Sequence, residues 1–197
     1  MTTKIYLPLR LYFFSMLFTA IIGFIPAEQG SALDVLTTLL SLAVTVVTFF
    51  ALYKLSPVSD RLRAAFRYNI VVLVLTGLLL VIALLMLANR ENDSAISGIL
   101  LLLLPVTVLL LVFVLLASYQ FYYGLDELIK PNGYSYPEGR IKWCFCTALI
   151  GGVIGGISGL FVPLLAPIIT LAVSAVQLFL LYEYLQAVRA REEQPLL

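Results

Sequence analysis

The sequence predicts an all-α polytopic membrane protein whose six transmembrane helices form three consecutive hairpins, with both termini on the cytoplasmic side. Three observations predict it. Of 197 residues, 62% are apolar and only 12% charged, too little charge to cover a soluble domain of this length. The apolar residues gather in six runs, each long enough to cross a hydrocarbon core of about 30 Å, some with tilt. The basic residues also sort. If six spans alternate, eleven of the twelve share one side and only Arg90 falls on the other, the bias that marks cytoplasmic loops. The expected location is a cell membrane, plasma or inner, crossed several times.

The first span, Leu9 to Ile25, stops at Pro26. Lys4 and Arg10 ahead of it would also suit a signal peptide ending at Ala27, but Ile25 spoils the small-x-small pattern that cleavage needs, so an uncleaved first helix is expected. The second span runs from Ala32 to Leu55 and ends before Ser56-Pro57. Residues 56–68 form a basic cytoplasmic segment. Within it Ser59 to Phe66 predicts a short interfacial helix, with Val58, Leu62 and Phe66 recurring every four residues and Arg61, Arg63 and Arg67 on other faces. Such a helix lies on the inner leaflet and attracts anionic lipid.

The third span, Asn69 to Ala88, reaches an outer turn carrying Arg90, Glu91 and Asp93. The fourth runs from Ile96 to Tyr119, with helix continuing toward Leu125. Pro105 lies inside it, removes the bond to the Leu101 carbonyl and predicts a kink. Thr107 or a facing helix is the expected partner for that carbonyl. A cytoplasmic loop follows at 124–141, with Asp126, Glu127, a Pro131-Asn132-Gly133 turn and Tyr134-x-Tyr136. It reads as a solvated connector resting on headgroups, with docking of a partner as the other reading. The fifth span is Trp143 to Phe161 and the sixth Ala166 to Val188, leaving a cytoplasmic tail at 189–197.

Each hairpin opens on a basic-aromatic step (Arg10-Leu11-Tyr12, Arg67-Tyr68, Lys142-Trp143) and closes on an aromatic-rich one. This is the pattern of a weak threefold parallel repeat. It is also what the aromatic and basic belt of any cytoplasmic interface produces, and the sequence leaves both readings open.

Polar residues mark two faces. On the second span Asp34, Thr37, Thr38, Ser41, Thr45 and Thr48 fall in one stripe at helical spacing. A hydroxyl stripe packs against neighbouring helices or lines a cavity. Asp34 also completes a capping box with Ser31 as N-cap. On the sixth span Ala166, Thr170, Ser174 and Gln177 share a face. Gln177, the most polar residue well inside a span, is expected to bond across a helix interface or to a ligand. The candidate cavity lining is therefore Asp34, Ser41, Thr45, Thr48, Ser174 and Gln177.

The fifth span carries GGVIGGISG. Thr147, Gly151, Gly155 and Gly159 form one row at i+4 spacing, and Ala148, Gly152 and Gly156 the row beside it. Regular i+4 spacing suits an intact helix whose backbone approaches a neighbour closely. The expected neighbour is the Ala166-Thr170-Ser174 face of the sixth span.

No catalytic chemistry stands out. The chain has no histidine, no charged residue in the middle of a span, and no phosphate loop or nucleophile elbow. Cys144 and Cys146 are too close in sequence for an unstrained disulfide. Neither an enzyme nor a cofactor is expected, and a net charge of +1 offers nothing to nucleic acid. In size, span number and cytoplasmic ends the chain resembles the substrate-binding components of energy-coupling-factor transporters. Where their first helix carries an Ala-x-x-x-Ala face, this one has Ser15-x-x-x-Thr19-x-x-x-Gly23, so the resemblance is one of size and topology. The expectation is a non-enzymatic, solute-binding or transport-related component, or alternatively an assembly or regulatory subunit acting through a helix face or the cytoplasmic loops.

Overall fold

In the computed structural model the described residues are 4–23, 25, 31–89, 93–161 and 165–193, with side chains described at all of these except 93–97, 157–161 and 166. The expectations at Pro26, Ala27, Arg90, Glu91 and the last four residues of the tail fall outside them, as do those for the side chains of Asp93 and Ala166 and for the surroundings of Gly159.

Among the described residues there are seven helices and no strand: α1 Tyr6–Ile22, α2 Ala32–Leu55, α3 Asp60–Ala88, α4 Asp93–Glu127, α5 Ile129–Asn132, α6 Trp143–Phe161 and α7 Leu165–Glu193. Four of them, α2, α3, α4 and α7, contain stretches long and apolar enough to cross a membrane, while α1 and the Trp143–Gly156 part of α6 are shorter apolar stretches. The chain is thus compatible with a multi-pass membrane protein.

The helix boundaries have local causes. Helix α1 starts at Tyr6, three residues before the predicted span, because Glu192 supplies its cap: Oε1 accepts from Ile5 N at 2.7 Å and Tyr6 N at 3.1 Å. Two otherwise bare amides are thereby satisfied by a carboxylate, which the helix dipole also favours. Ser31 caps α2, accepting from Asp34 N at 3.1 Å. Ser59 caps α3, accepting from Leu62 N at 3.1 Å.

That last cap alters one expectation. The basic segment from Ser59 to Phe66 is not a separate helix; it forms the first two turns of α3, since no helix breaker lies between Asp60 and Asn69. Leu62 and Ala65, at 1% and 0% exposure, hold it upright against the core. Further on, α4 continues as helix on both sides of Pro105. Thr107 Oγ1 donates to Leu103 O at 2.8 Å, so it is not the partner of the Leu101 carbonyl.

The six long helices form a closed ring in chain order. Among the described residues the backbone of each lies close to its two ring neighbours, α1 to α2, α2 to α3, α3 to α4, α4 to α6, α6 to α7, and α7 to α1, while side chains of α1 and α7 reach across to α4. The most extensive contacts are within the three hairpins, α3 with α4, α6 with α7 and α1 with α2. One apolar cluster draws on the start of α1 (Leu9), the end of α2 (Leu55), the start of α3 (Leu62), the end of α4 (Leu125), the start of α6 (Cys144) and the end of α7 (Tyr184, Val188). Consecutive helices therefore alternate in direction, and the core sits at one end of the ring. That end also carries the basic residues. At the other end large apolar side chains stand outward, Leu101 at 77% and Leu87 at 65% exposure.

The segment at 124–141 belongs to this core and is not a solvated connector. Leu125, Leu128, Ile129, Tyr134, Tyr136 and Ile141 are all buried. The phenols keep their hydrogen bonds: Tyr136 Oη donates to Leu180 O at 3.2 Å, and Tyr184 Oη to Leu125 O at 2.8 Å. Satisfied in this way, a tyrosine is buried as an aromatic without a stranded hydroxyl. The expected Pro131-Asn132-Gly133 turn is the end of the short α5, which Gly133 closes at φ 64° in the left-handed conformation.

Candidate functional site

Three consecutive helices of the ring, α2, α1 and α7, line an open-sided cavity of about 460 Å³. Its floor is Tyr12 and Met16, with further aromatic rings behind them. The Tyr12 ring lies 4.3 Å from that of Phe121 on α4, Phe121 stacks edge-on against Tyr122 at 5.3 Å, and Tyr122 Oη lies 4.0 Å from Met16 Sδ. Because α1 and α4 are not ring neighbours, these contacts cross the interior, and Tyr12 and Met16 point into it. A second hollow of about 70 Å³ lies beyond Tyr12, beside Asn69 and Ser118.

Above the floor the polar groups are hydroxyls. They come from Thr19 on α1, Thr48 on α2, and Thr170 and Ser174 on α7. Among the described residues the rest of the lining is Tyr12, apolar side chains and Gly23, and no charged side chain contributes to it. Thr19 Oγ1 donates to Ser15 O and Thr48 Oγ1 to Val44 O, both at 2.9 Å. A hydroxyl has one proton and two lone pairs. With the proton committed to its own helix, each threonine offers the cavity acceptors only.

The expected lining residues separate into two groups. Thr48 and Ser174 are in the cavity wall. Ser41 and Thr45 continue the Thr48 face of α2 upward; both are exposed, and they donate to Thr37 O and Ser41 O at 2.8 Å. Asp34 stands half-buried in the first turn of α2. Gln177 turns the other way: its Nε2 donates to Cys144 O on α6 at 2.9 Å, and Cys144 Sγ lies 3.8 Å from Gln177 O. Its amide links two helices and does not line the cavity. Sequence reasoning missed Tyr12, Met16 and Thr19. The row Ser15-Thr19-Gly23 was visible, but nothing in it signalled an interior face.

The glycine rows also separate. An added Cβ at Gly151 would lie 2.1 Å from Val173 Cγ2 on α7, whereas one at Gly155 would lie 3.7 Å from Ile169 Cγ2. An added Cβ at Gly152 or Gly156 meets nothing within 4 Å. The close neighbour of α6 is thus the Ile169-Val173 face of α7, about 100° of helix rotation from Thr170 and Ser174 at the adjoining positions. Those two belong to the cavity instead.

At the basic end the cations are largely paired. Arg61 is bonded to Glu127 and lies over the Tyr119 and Tyr123 rings at 5.8 and 5.9 Å. Arg63 pairs with Asp60 at 3.0 Å, so two of the three arginines expected to meet anionic lipid already hold carboxylates; the third, Arg67, is exposed. Arg140 pairs with Glu183 and Lys130 with Glu138, each at 2.8 Å. Asp126 fastens the 124–141 segment, accepting from Gly139 N at 2.6 Å and pairing with Lys142 at 2.7 Å. The hydrogen bond to Asp126 raises the Lys142 pKa, and burial pushes the Tyr134 phenol up to about 12. Among the described residues no three His, Cys, Asp or Glu side chains converge as a metal-ligand set.

No protein-family model, curated protein or solved structure matches this chain.

Proposed function

We propose that this chain is a non-enzymatic integral membrane protein of six spans, with both termini in the cytoplasm of a plasma or inner membrane, that holds a small uncharged solute inside its helix ring as a solute-binding or transport-related component. The one-sided distribution of basic residues supports the orientation. One observation carries the function: a cavity on the inner side of the ring, floored by Tyr12 and walled by hydroxyls from three helices, with no charged side chain among the described residues that line it. Such a mostly apolar pocket with a few placed polar groups is the usual form of a small-molecule site. Its bonded threonines accept hydrogen bonds, so a ligand bringing a hydroxyl or amide N–H suits it. The absence of charge argues against an ion or a strong acid as cargo.

Native mass spectrometry of the gently purified protein tests this. The expected spectrum contains a bound metabolite that is lost in the double variant Thr48→Val, Ser174→Ala and retained in Gln177→Leu, whose side chain faces α6. Orientation is tested with a single cysteine at Glu138, in a background with Cys144 and Cys146 changed to serine. An impermeant thiol reagent should reach it only after the cells are opened.

A second reading, an assembly subunit, is favoured by the open Gly152-Gly156 face of α6, where an added side chain meets nothing within 4 Å. A bare glycine face allows close helix approach in a bilayer. A co-purifying protein chain with no bound metabolite in the same spectrum would replace the solute reading with this one.

A further inference from the structure

A different surface carries an independent conclusion. Antiparallel α1 and α7 meet along a seam whose outward side is a groove of about 400 Å³. On α1 it is lined by Tyr6, Arg10, Phe13 and Phe14, and on α7 by Tyr182, Leu185, Gln186, Arg189 and the acidic Glu193. At 100° per residue the α1 positions lie on the side of the helix away from Tyr12 and Met16, so the groove does not communicate with the interior cavity through that helix. The rings of Phe13 and Tyr182, 5.9 Å apart, form its apolar part, and Phe14 and Tyr182 are 39% and 48% exposed. A smaller hollow of about 230 Å³ adjoins it, shares Tyr6 and Arg189, and brings in Lys4.

The charges here are only partly neutralised. Arg61, Arg63, Lys130, Arg140 and Lys142 each hold a carboxylate. Arg10 holds none among the described residues; it lies over the Phe14 ring at 5.5 Å. Arg189 pairs with Glu193 at 2.7 Å through Nε alone, on an exposed surface. Glu192, the other acid nearby, is committed to the amides of Ile5 and Tyr6. A guanidinium has five donor hydrogens, so both arginines keep donors facing the groove. Gln186 adds an exposed amide. Donors and net positive charge at the chain-end side, with aromatic rings leading away from it toward the apolar halves of the helices, match a phosphate attached to a hydrocarbon tail.

We propose that the α1–α7 seam binds an anionic glycerophospholipid, with the phosphodiester between Arg10 and Arg189 and an acyl chain over Phe13, Phe14 and Tyr182. Basic hollows between helices at the cytoplasmic interface are suited to such headgroups. This adds, to the lipid contact expected near Arg61, Arg63 and Arg67, a groove that sequence alone does not display. It is independent of what the interior cavity holds.

The test is native mass spectrometry of the full chain in detergent micelles doped with equal amounts of phosphatidylglycerol and phosphatidylcholine of the same chains. The expected result is preferential retention of one phosphatidylglycerol, falling about fivefold with Arg10→Gln and again with Arg189→Gln, while Arg61→Gln and Arg63→Gln leave it unchanged. Thermal melting of each variant identifies any that has lost its fold, and Arg10→Lys, which keeps the charge, should recover most of the retention. Equal retention of the two lipids, or a loss produced as readily by Arg63→Gln, overturns the proposal. Inorganic phosphate separates the two sources of the same chemistry. If it displaces the lipid at millimolar concentration and binds equally well alone, the groove is a phosphate site and the lipid assignment is wrong.

Discussion

Gly151 and Gly152 are adjacent and chemically identical, yet their surroundings are opposite. A methyl group at Gly151 would lie 2.1 Å from Val173 Cγ2, and one at Gly152 would meet nothing. Valine in a helix has one strongly preferred rotamer, so relief at Gly151 requires the two helices to shift. Overpacking of that kind costs about 1–3 kcal/mol, against a gain of about 1 kcal/mol when alanine replaces a helical glycine. Gly151→Ala should therefore lower the melting temperature in detergent, and Gly152→Ala should leave it unchanged or raise it. Indistinguishable melting curves would show that the α6–α7 contact is looser than described. The sequence displays both glycine rows but not which one is covered. That is decided by Ile169 and Val173, ordinary apolar residues that carry no signal of their own. Gln177 is the converse case: its polarity is conspicuous in the sequence, and its amide is used on the Cys144 carbonyl.

At the scale of the element, the 124–141 segment shows how a loop composition hides a core structure. Its Asp, Glu, Pro, Asn and Gly residues predict a polar connector, whereas its buried Tyr134 and Tyr136 and its Leu and Ile residues bind it to the end of the ring. Its attachment is sensitive to alkali. The Tyr134 phenol titrates near 12 in the folded chain against 10.0 as its ordinary value. Between those values the folded state keeps a proton that the unfolded state has released, so stability falls as pH rises. The raised Lys142 acts in the same direction: its pairing with Asp126 contributes below its unfolded pKa of about 10.4 and is lost as pH passes the higher folded value. The segment should hold at neutral pH and loosen between about pH 10 and 12. Tyrosinate absorbance and proteolysis near Gly139 would follow it. In Lys142→Met the loosening should begin at lower pH, and an unchanged profile would remove Asp126 as the fastening point.

Over the whole molecule, the position of the core has a simple physical cause. Burial of a leucine or phenylalanine is worth about 1.5–3 kcal/mol where water is the alternative. Where the alternative is lipid the driving force largely disappears, because acyl chains are as apolar as leucine. Large side chains accordingly pack densely at the basic end, while the apolar ends leave a cavity and outward-facing leucines. Hydrophobic runs and caps make the helices and their hairpin order legible in the sequence, since those are local properties. Closure of the ring is not legible, because it depends on α1 meeting α7 through residues such as Ile5 and Glu192, which lie 187 positions apart. That closure has a consequence for connectivity. Ile5 N lies 2.7 Å from Glu192 Oε1, so a short linker can join the start of α1 to the end of α7, and a cut between Pro57 and Val58 at the same end interrupts the chain only between the ring neighbours α2 and α3. Such a circular permutant should insert, elute as the linear protein does from a sizing column, and melt at a similar temperature. A permutant that aggregates, beside a linear control that does not, would mean that the order in which helices leave the ribosome, and not only who their neighbours are, is written into this fold.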